Sequence, residues 1–234
     1  MHEWLPYKQR HFTALACESC HIPKLFGPGL QAVDWTMLDQ DAQPLRQYRN
    51  IQGDPVEVET LINGYKPLIL ARANADGDMQ LAPFNLVTSW YWTAGEPAEP
   101  VSRQALEAAL FGDNGYHPDL LAALDADGNG QLTGDELRLV DESSVNAVRQ
   151  RLEATGLTGL TIQSEMTPFS INHNVVNGEN ATRDCSNCHD RDSLLAAKFT
   201  LSDYAPGNVL PTIISYPGIE FSGDIENDPV NGPD

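Results

Sequence analysis

Residues 15–25 read LACESCHIPKL and residues 183–193 read RDCSNCHDRDS. Each holds Cys-x-x-Cys-His, and the two triplets use all four cysteines of the 234-residue chain. The spacing has a chemical reason. Two thiols, three residues apart, add to the two vinyl groups of a haem, and the next residue turns its imidazole to the iron. Cys17, Cys20 and His21 would hold one haem, and Cys185, Cys188 and His189 another. A thioredoxin-type pair uses two such thiols but needs a βαβ setting and no trailing histidine. A four-cysteine zinc site would also use two pairs, again without the histidines. Histidine directly after both pairs favours two covalent haems over zinc or disulfides. Such haems are attached outside the cytoplasm, so the expected location is extracytoplasmic: periplasm, cell surface or medium.

The distal ligand decides whether an iron is closed or open. Six histidines are present: His2, His11, His21, His117, His173 and His189. His21 and His189 are the expected proximal ligands. His11, upstream of Cys17, and His173, upstream of Cys185, are the expected distal ones, with His2 in reserve. His117 precedes PDLLAAL and is placed to open a helix. Methionine is the rival ligand, with Met166 and Met37 as candidates, although a lone Met usually fills a core.

Residues 125–136, DADGNGQLTGDE, match the twelve-residue calcium loop of an EF-hand. Asp125, Asp127 and Asn129 stand at positions 1, 3 and 5, and Gly130 permits the turn at position 6. Gln131 offers its carbonyl at position 7, Thr133 acts through water at position 9, and Glu136 chelates at position 12. EF-hands usually pair, and residues 74–85, NADGDMQLAPFN, resemble a degenerate partner. There Met79 replaces the glycine and Asn85 the glutamate. Four scattered methionines do not make the groove of a calcium sensor, so a structural ion is expected.

Fourteen Lys and Arg face 33 Asp and Glu, a net charge of −19. That argues against nucleic acid and suits calcium, high solubility and basic or metal-bearing partners. No apolar run approaches the length of a membrane span. MHEWLPYKQRHF lacks the apolar core of a secretory signal, so a signal has been removed or the chain is a piece of a longer precursor.

The expected fold class is α+β: a largely irregular, haem-nucleated fold with an EF-hand-like helical insert and a small antiparallel sheet. Residues 1–56, broken by Gly and Pro, form the first haem segment and look mostly irregular. Residues 57–156 form the calcium-binding insert. It opens with a helix and an extended stretch over 57–72, and FNLVTSWYW at 84–92 is helix or strand. Helices follow at 102–111, capped by Ser102, and at 143–156, from a serine cap to Gly156. Residues 157–234 form the second haem segment. LTGLTIQSEM, NVLPTIISY and GIEFSGDI there look like strands, and a turn-rich tail follows. The ends are expected to pack together across the insert.

HFTALACESCHIPKL, followed by VDWT, resembles haem segments of the octahaem tetrathionate reductase superfamily, as does HNVVNGENATRDCSNCH. The resemblance covers about a third of the chain and implies that a histidine leading such a segment is a distal ligand. The chain departs from that family in having two triplets, an EF-hand-like region between them and no Cys-x-x-Cys-Lys, so the family's activity does not carry over. The function expected is electron transfer between redox partners. These are other cytochrome subunits or copies of the chain, and His2 is a candidate ligand for a neighbour's haem. The alternative is a dihaem reductase or peroxidase with one open iron.

Overall fold

The computed structural model describes residues 2–50, 64–191, 193–196, 198–221 and 224–226. The helix expected at the start of 57–72 and the tail after 226 lie outside these residues. Two short helices open the chain, α1 (Lys8–Ala14) and α2 (Cys17–His21), followed by strands β1 (Gly29–Leu38), β2 (Pro44–Arg49), β3 (Leu68–Ala73) and β4 (Met79–Ala94). A helical lobe comes next: β5 (Glu99–Pro100), α3 (Arg103–Leu110), the hairpin β6 (Phe111–Gly112) and β7 (Gly115–Tyr116), α4 (Pro118–Leu124) and α5 (Glu142–Ala154). The chain returns through β8 (Thr161–Ser170), α6 (Ser186–His189), β9 (Thr212–Ile213) and β10 (Ile219–Glu220).

β4 organises the molecule. Its sequence, MQLAPFNLVTSWYWTA, is apolar or β-branched at both parities, the pattern of a strand covered on both faces. Residues 79–84 pair antiparallel with β3, 88–90 pair parallel with β1 and 93–94 pair with β5. Along the opposite edge, residues 84–93 pair antiparallel with β8. β2 extends β1, β9 runs parallel to β8, and β10 runs antiparallel to β3. Among the described residues the sheet therefore has eight strands of mixed direction, where a small antiparallel one was expected. It also draws on the first 56 residues, which were expected to be irregular. β1 escaped notice because GLQAVDWTML is buried on both faces towards its end and does not alternate.

One core lies between the sheet and the helical lobe. Trp90 and Trp92, almost fully buried, meet Leu106 and Leu110 of α3, Leu120 of α4 and Val148 and Leu152 of α5. Each such side chain contributes about 1.5–3 kcal/mol by leaving water. The indoles are satisfied as they must be: Trp90 Nε1 donates to the Val209 carbonyl at 2.8 Å and Trp92 Nε1 to that of Thr36 at 3.0 Å. Helix starts follow local chemistry. Ser102 caps α3, accepting from Ala105 N–H at 3.2 Å, as expected. α4 opens at His117, whose Nδ1 accepts from Asp119 N–H, with Pro118 at its first position. α5 is capped by Asp141, which accepts from Ser144 N–H at 2.8 Å, and not by a serine.

A second core lies near the start of β4, where Leu70, Ala82, Phe84, Leu86 and Met166 pack with Ala16. Phe199, Leu201, Ile219 and Phe221 cover it from the returning chain. Arg49 fastens that return. Its guanidinium donates to Asn85 Oδ1 at 2.9 Å, to the Leu86 carbonyl at 3.1 Å and to the Thr200 carbonyl.

Candidate functional site

The two cysteine triplets meet at the start of β4. Ala16 N–H donates to the Leu81 carbonyl at 2.9 Å, and Ser19 Oγ donates to the same oxygen at 2.6 Å. This seats α2, with Cys17, Cys20 and His21, against the strand. β8 runs antiparallel to β4 and so ends at the same place, where Ile171 N–H donates to the Pro83 carbonyl at 3.0 Å. The chain then passes over α2. Val176 N–H donates to the His21 carbonyl at 2.8 Å, and Thr182 N–H to the Cys20 carbonyl at 2.8 Å. Cys185, at the N-cap of α6, and Cys188 and His189 within it follow directly. Arg72 of β3 ties the parts: it lies 3.9 Å from Glu18, between the first two cysteines, and donates to Ser170 Oγ. Burial raises the Cys20 thiol pKa, and the nearby sulfurs of Cys188 and Cys17 raise it further. No disulfide joins the four cysteines.

Each proximal candidate faces a second imidazole. The His2 and His21 ring centroids are 6.0 Å apart with planes at 89°, and those of His11 and His189 are 6.1 Å apart at 86°. Two imidazoles on opposite sides of one metal, bonded at about 2.0–2.1 Å, have centroids roughly 6 Å apart. His21 Nδ1 lies 2.9 Å from the Val176 carbonyl, and His11 Nδ1 lies 3.4 Å from the Tyr7 carbonyl. A carbonyl only accepts, so Nδ1 carries the proton in each ring and Nε2 keeps the lone pair a metal needs. The sequence assigns no particular iron to any of the upstream histidines. His11 faces the second triplet, and His2 faces the first triplet of its own chain. His173 belongs to neither pair; it is exposed on the extended segment after β8. Met37 and Met166 are buried in the two cores, as gap-filling methionines are.

The His2–His21 pair borders a cavity of about 430 Å³. Cofactor pockets span about 300–1,000 Å³ and are mostly apolar. Trp4, Leu5, Phe12, Leu15 and Ala16 supply apolar wall, Cys17 and Cys20 open onto it, and Thr182 and Arg183 close one side. The residues thus fit a covalent haem: thiols, an imidazole pair and apolar cover coincide. Trp4, Phe12 and Arg183 escaped the sequence reading because only the tertiary fold gathers them. The Val176 carbonyl escaped because a backbone group has no residue signature.

The loop after α4 brings the Asp125, Asp127 and Glu136 carboxylates within 4.8 Å of one another. Gly128 and Gly130 take positive φ of 72° and 80°, which the tight loop requires. Asp125 Oδ2 accepts from Gly130 N–H and Oδ1 from Gly128 and Asn129 N–H, bonds that hold its carboxyl pKa low, Gly130's most of all. Glu136 reaches back to Ala126 N–H at 2.8 Å and Thr133 N–H at 3.0 Å, closing the loop at both ends. Asn129 Oδ1 accepts from Gln131 N–H at 2.8 Å. The exit is a short 3₁₀ turn, Gly134–Leu137. The expected partner at 74–85 is a β-hairpin: Asn74 Oδ1 accepts from Asp76 and Asp78 N–H, and its residues from Met79 on belong to β4. Among the described residues it makes no strand pairing with the 125–136 loop.

No protein-family model matches the chain, and no curated protein matches it. Among solved structures, an octaheme cytochrome c from Shewanella oneidensis is similar, with a TM-score of 0.43 and 15% identity over 80% of this chain. The chain spans 46% of that protein.

Proposed function

We propose that the chain is a dihaem c-type cytochrome that carries electrons between redox partners outside the cytoplasm, as one unit of a larger multihaem assembly. The observation that supports it most is the pair of facing imidazoles at each Cys-x-x-Cys-His triplet. Cys17 and Cys20 would hold one haem by thioethers, with His21 proximal and His2 distal. Cys185 and Cys188 would hold the other, with His189 proximal and His11 distal. A haem bound in this way supplies an iron that cycles between ferric and ferrous.

The chain's own groups then do three things. The Val176 carbonyl fixes the tautomer and orientation of His21, and that of Tyr7 does so for His11. Trp4, Leu5 and Phe12 would supply apolar cover for one face of a haem in the first site. The bonds from Val176 and Thr182 to α2 hold the two attachment sites at a fixed separation. Two imidazoles held at each iron would leave no open position, which favours electron transfer over the reductase or peroxidase alternative. Asp125, Asp127 and Glu136, with Asn129 and the Gln131 carbonyl, would bind a structural calcium. The acidic surface suits a basic partner.

An optical spectrum with a haem assay tests this. Two haems per chain are expected, with low-spin bands in both oxidation states and no carbon monoxide binding to the folded, reduced protein. A high-spin band in the wild-type protein, or ready carbon monoxide binding, would overturn the electron-carrier assignment.

A further inference from the structure

Arg183 stands out for what it lacks. In a chain with 33 carboxylates against 14 Lys and Arg, a surface cation normally finds an acidic neighbour. Arg183 forms no ion pair among the described residues. Its Nε donates to the Gly178 carbonyl at 2.6 Å, and its guanidinium lies 5.7 Å from the Trp4 ring centroid. These contacts fix the group and leave both Nη nitrogens without a hydrogen bond to a described residue. It lines the cavity beside His21, Cys17 and Cys20, whose lining among the described residues holds no Asp or Glu and no other Lys or Arg. The cavity thus combines apolar walls with a single held cation whose planar fork suits a carboxylate.

We infer that Arg183 is the anchor for a propionate carboxylate of the first haem, so that the segment attaching the second haem carries the counter-charge of the first. The inference rests on the haem assignment made above. Arg183 lies two residues before Cys185, so the two sites share a strap as well as an edge of β4. A guanidinium held at the propionate keeps that carboxylate ionised and favours the ferrous state, which carries one positive charge fewer than the ferric.

The test is potentiometry of the holoprotein over pH 5 to 9, for wild type, Arg183→Gln and Arg183→Lys. His2→Ala identifies which redox step belongs to the first haem. Arg183→Gln is expected to lower the potential of that step alone, changing its oxidised-to-reduced ratio about tenfold at fixed potential, which is about 59 mV for one electron. It is also expected to make that step steeper with pH, because the propionate then takes up a proton on reduction. Arg183→Lys keeps the charge, loses the fork, and should fall in between. If Arg183→Gln attaches one haem while Arg183→Lys attaches two, the anchoring role is equally supported. Unchanged potentials and pH slopes in Arg183→Gln, or a shift confined to the second haem, overturn the inference while leaving the dihaem assignment intact. A wild-type protein without haem sinks both, and the haem assay reads that separately.

Discussion

His11, on the helix before the first cysteine triplet, faces His189 of the second, with ring centroids 6.1 Å apart. The proposed ligand for one site is therefore carried by the segment that builds the other. His11→Ala should open the second iron, giving one high-spin, carbon monoxide-binding haem of two. His2→Ala should do the same at the first. His173→Ala should leave the spectrum unchanged, because that side chain is exposed and outside both pairs. Optical and paramagnetic resonance spectra of the three variants check this, and a high-spin haem in His173→Ala would contradict the pairing.

Ser19 is buried, and its hydroxyl donates to the Leu81 carbonyl at 2.6 Å. That carbonyl also accepts from Ala16 N–H, so Ser19→Ala leaves it satisfied. The expected loss is small, about 0.5–1.5 kcal/mol by urea unfolding, with both haems still attached. A loss of haem in this variant would mean that the α2–β4 seam positions the thiols more than it stabilises the fold.

Chelating calcium should lower the melting temperature and leave both redox potentials unchanged. The loop packs through Leu132 and Leu137 on the core under the helical lobe, away from the triplets. Free calcium at 100 times Kd contributes about 2.7 kcal/mol, or roughly 5–10 °C for a chain of this size. Glu136→Gln should weaken calcium binding at least about tenfold by calorimetry, since that side chain closes the loop at both ends. A potential that moved on chelation would point to a calcium-controlled switch instead.

Asp34 is buried in β1, and desolvation raises its pKa to about 6 despite bonds from Thr36 N–H at 2.7 Å, Thr36 Oγ at 2.6 Å and Tyr204 Oη at 2.8 Å. The ordinary value for an unfolded Asp is about 3.9. Between about pH 4 and pH 6 the folded state therefore holds a proton that the unfolded state has released, so this group's contribution is greatest at low pH and falls as pH rises. The loss amounts to at most about 3 kcal/mol and is complete above the folded pKa. Asp34→Asn should flatten the stability profile in that window, read by urea unfolding at several pH values. An unchanged slope would show that Asp34 is not its source.

The two triplets and the 125–136 loop stand out in the sequence because covalent attachment and calcium chelation, the chemistry proposed for them, demand fixed residue types at fixed spacing. The triplets and the 125–136 loop are local, and one chain segment contains each. Distal ligands are not local. The sequence makes His11 a candidate, but which triplet it faces depends on β8 bringing residue 171 back beside residue 83. His173 is the nearer histidine upstream of Cys185 in sequence and still lies outside both pairs. β1 and β4 were under-read for the opposite reason: buried on both faces over much of their length, they lack the alternation that marks a half-exposed strand. Ser102 and His117 announced their helices because capping is settled within one turn.

Leu81 and Pro83, two residues apart on one strand, anchor the two attachment segments. The helical lobe is joined at the other end of the same strand, beyond Trp90 and Trp92. The strand thus works as a gauge block, with the spacing between the two cysteine triplets machined into one end and the lobe mounted on the other. A designer could lengthen, shorten or replace loops in the lobe without retuning that spacing, provided the two tryptophans keep their cover.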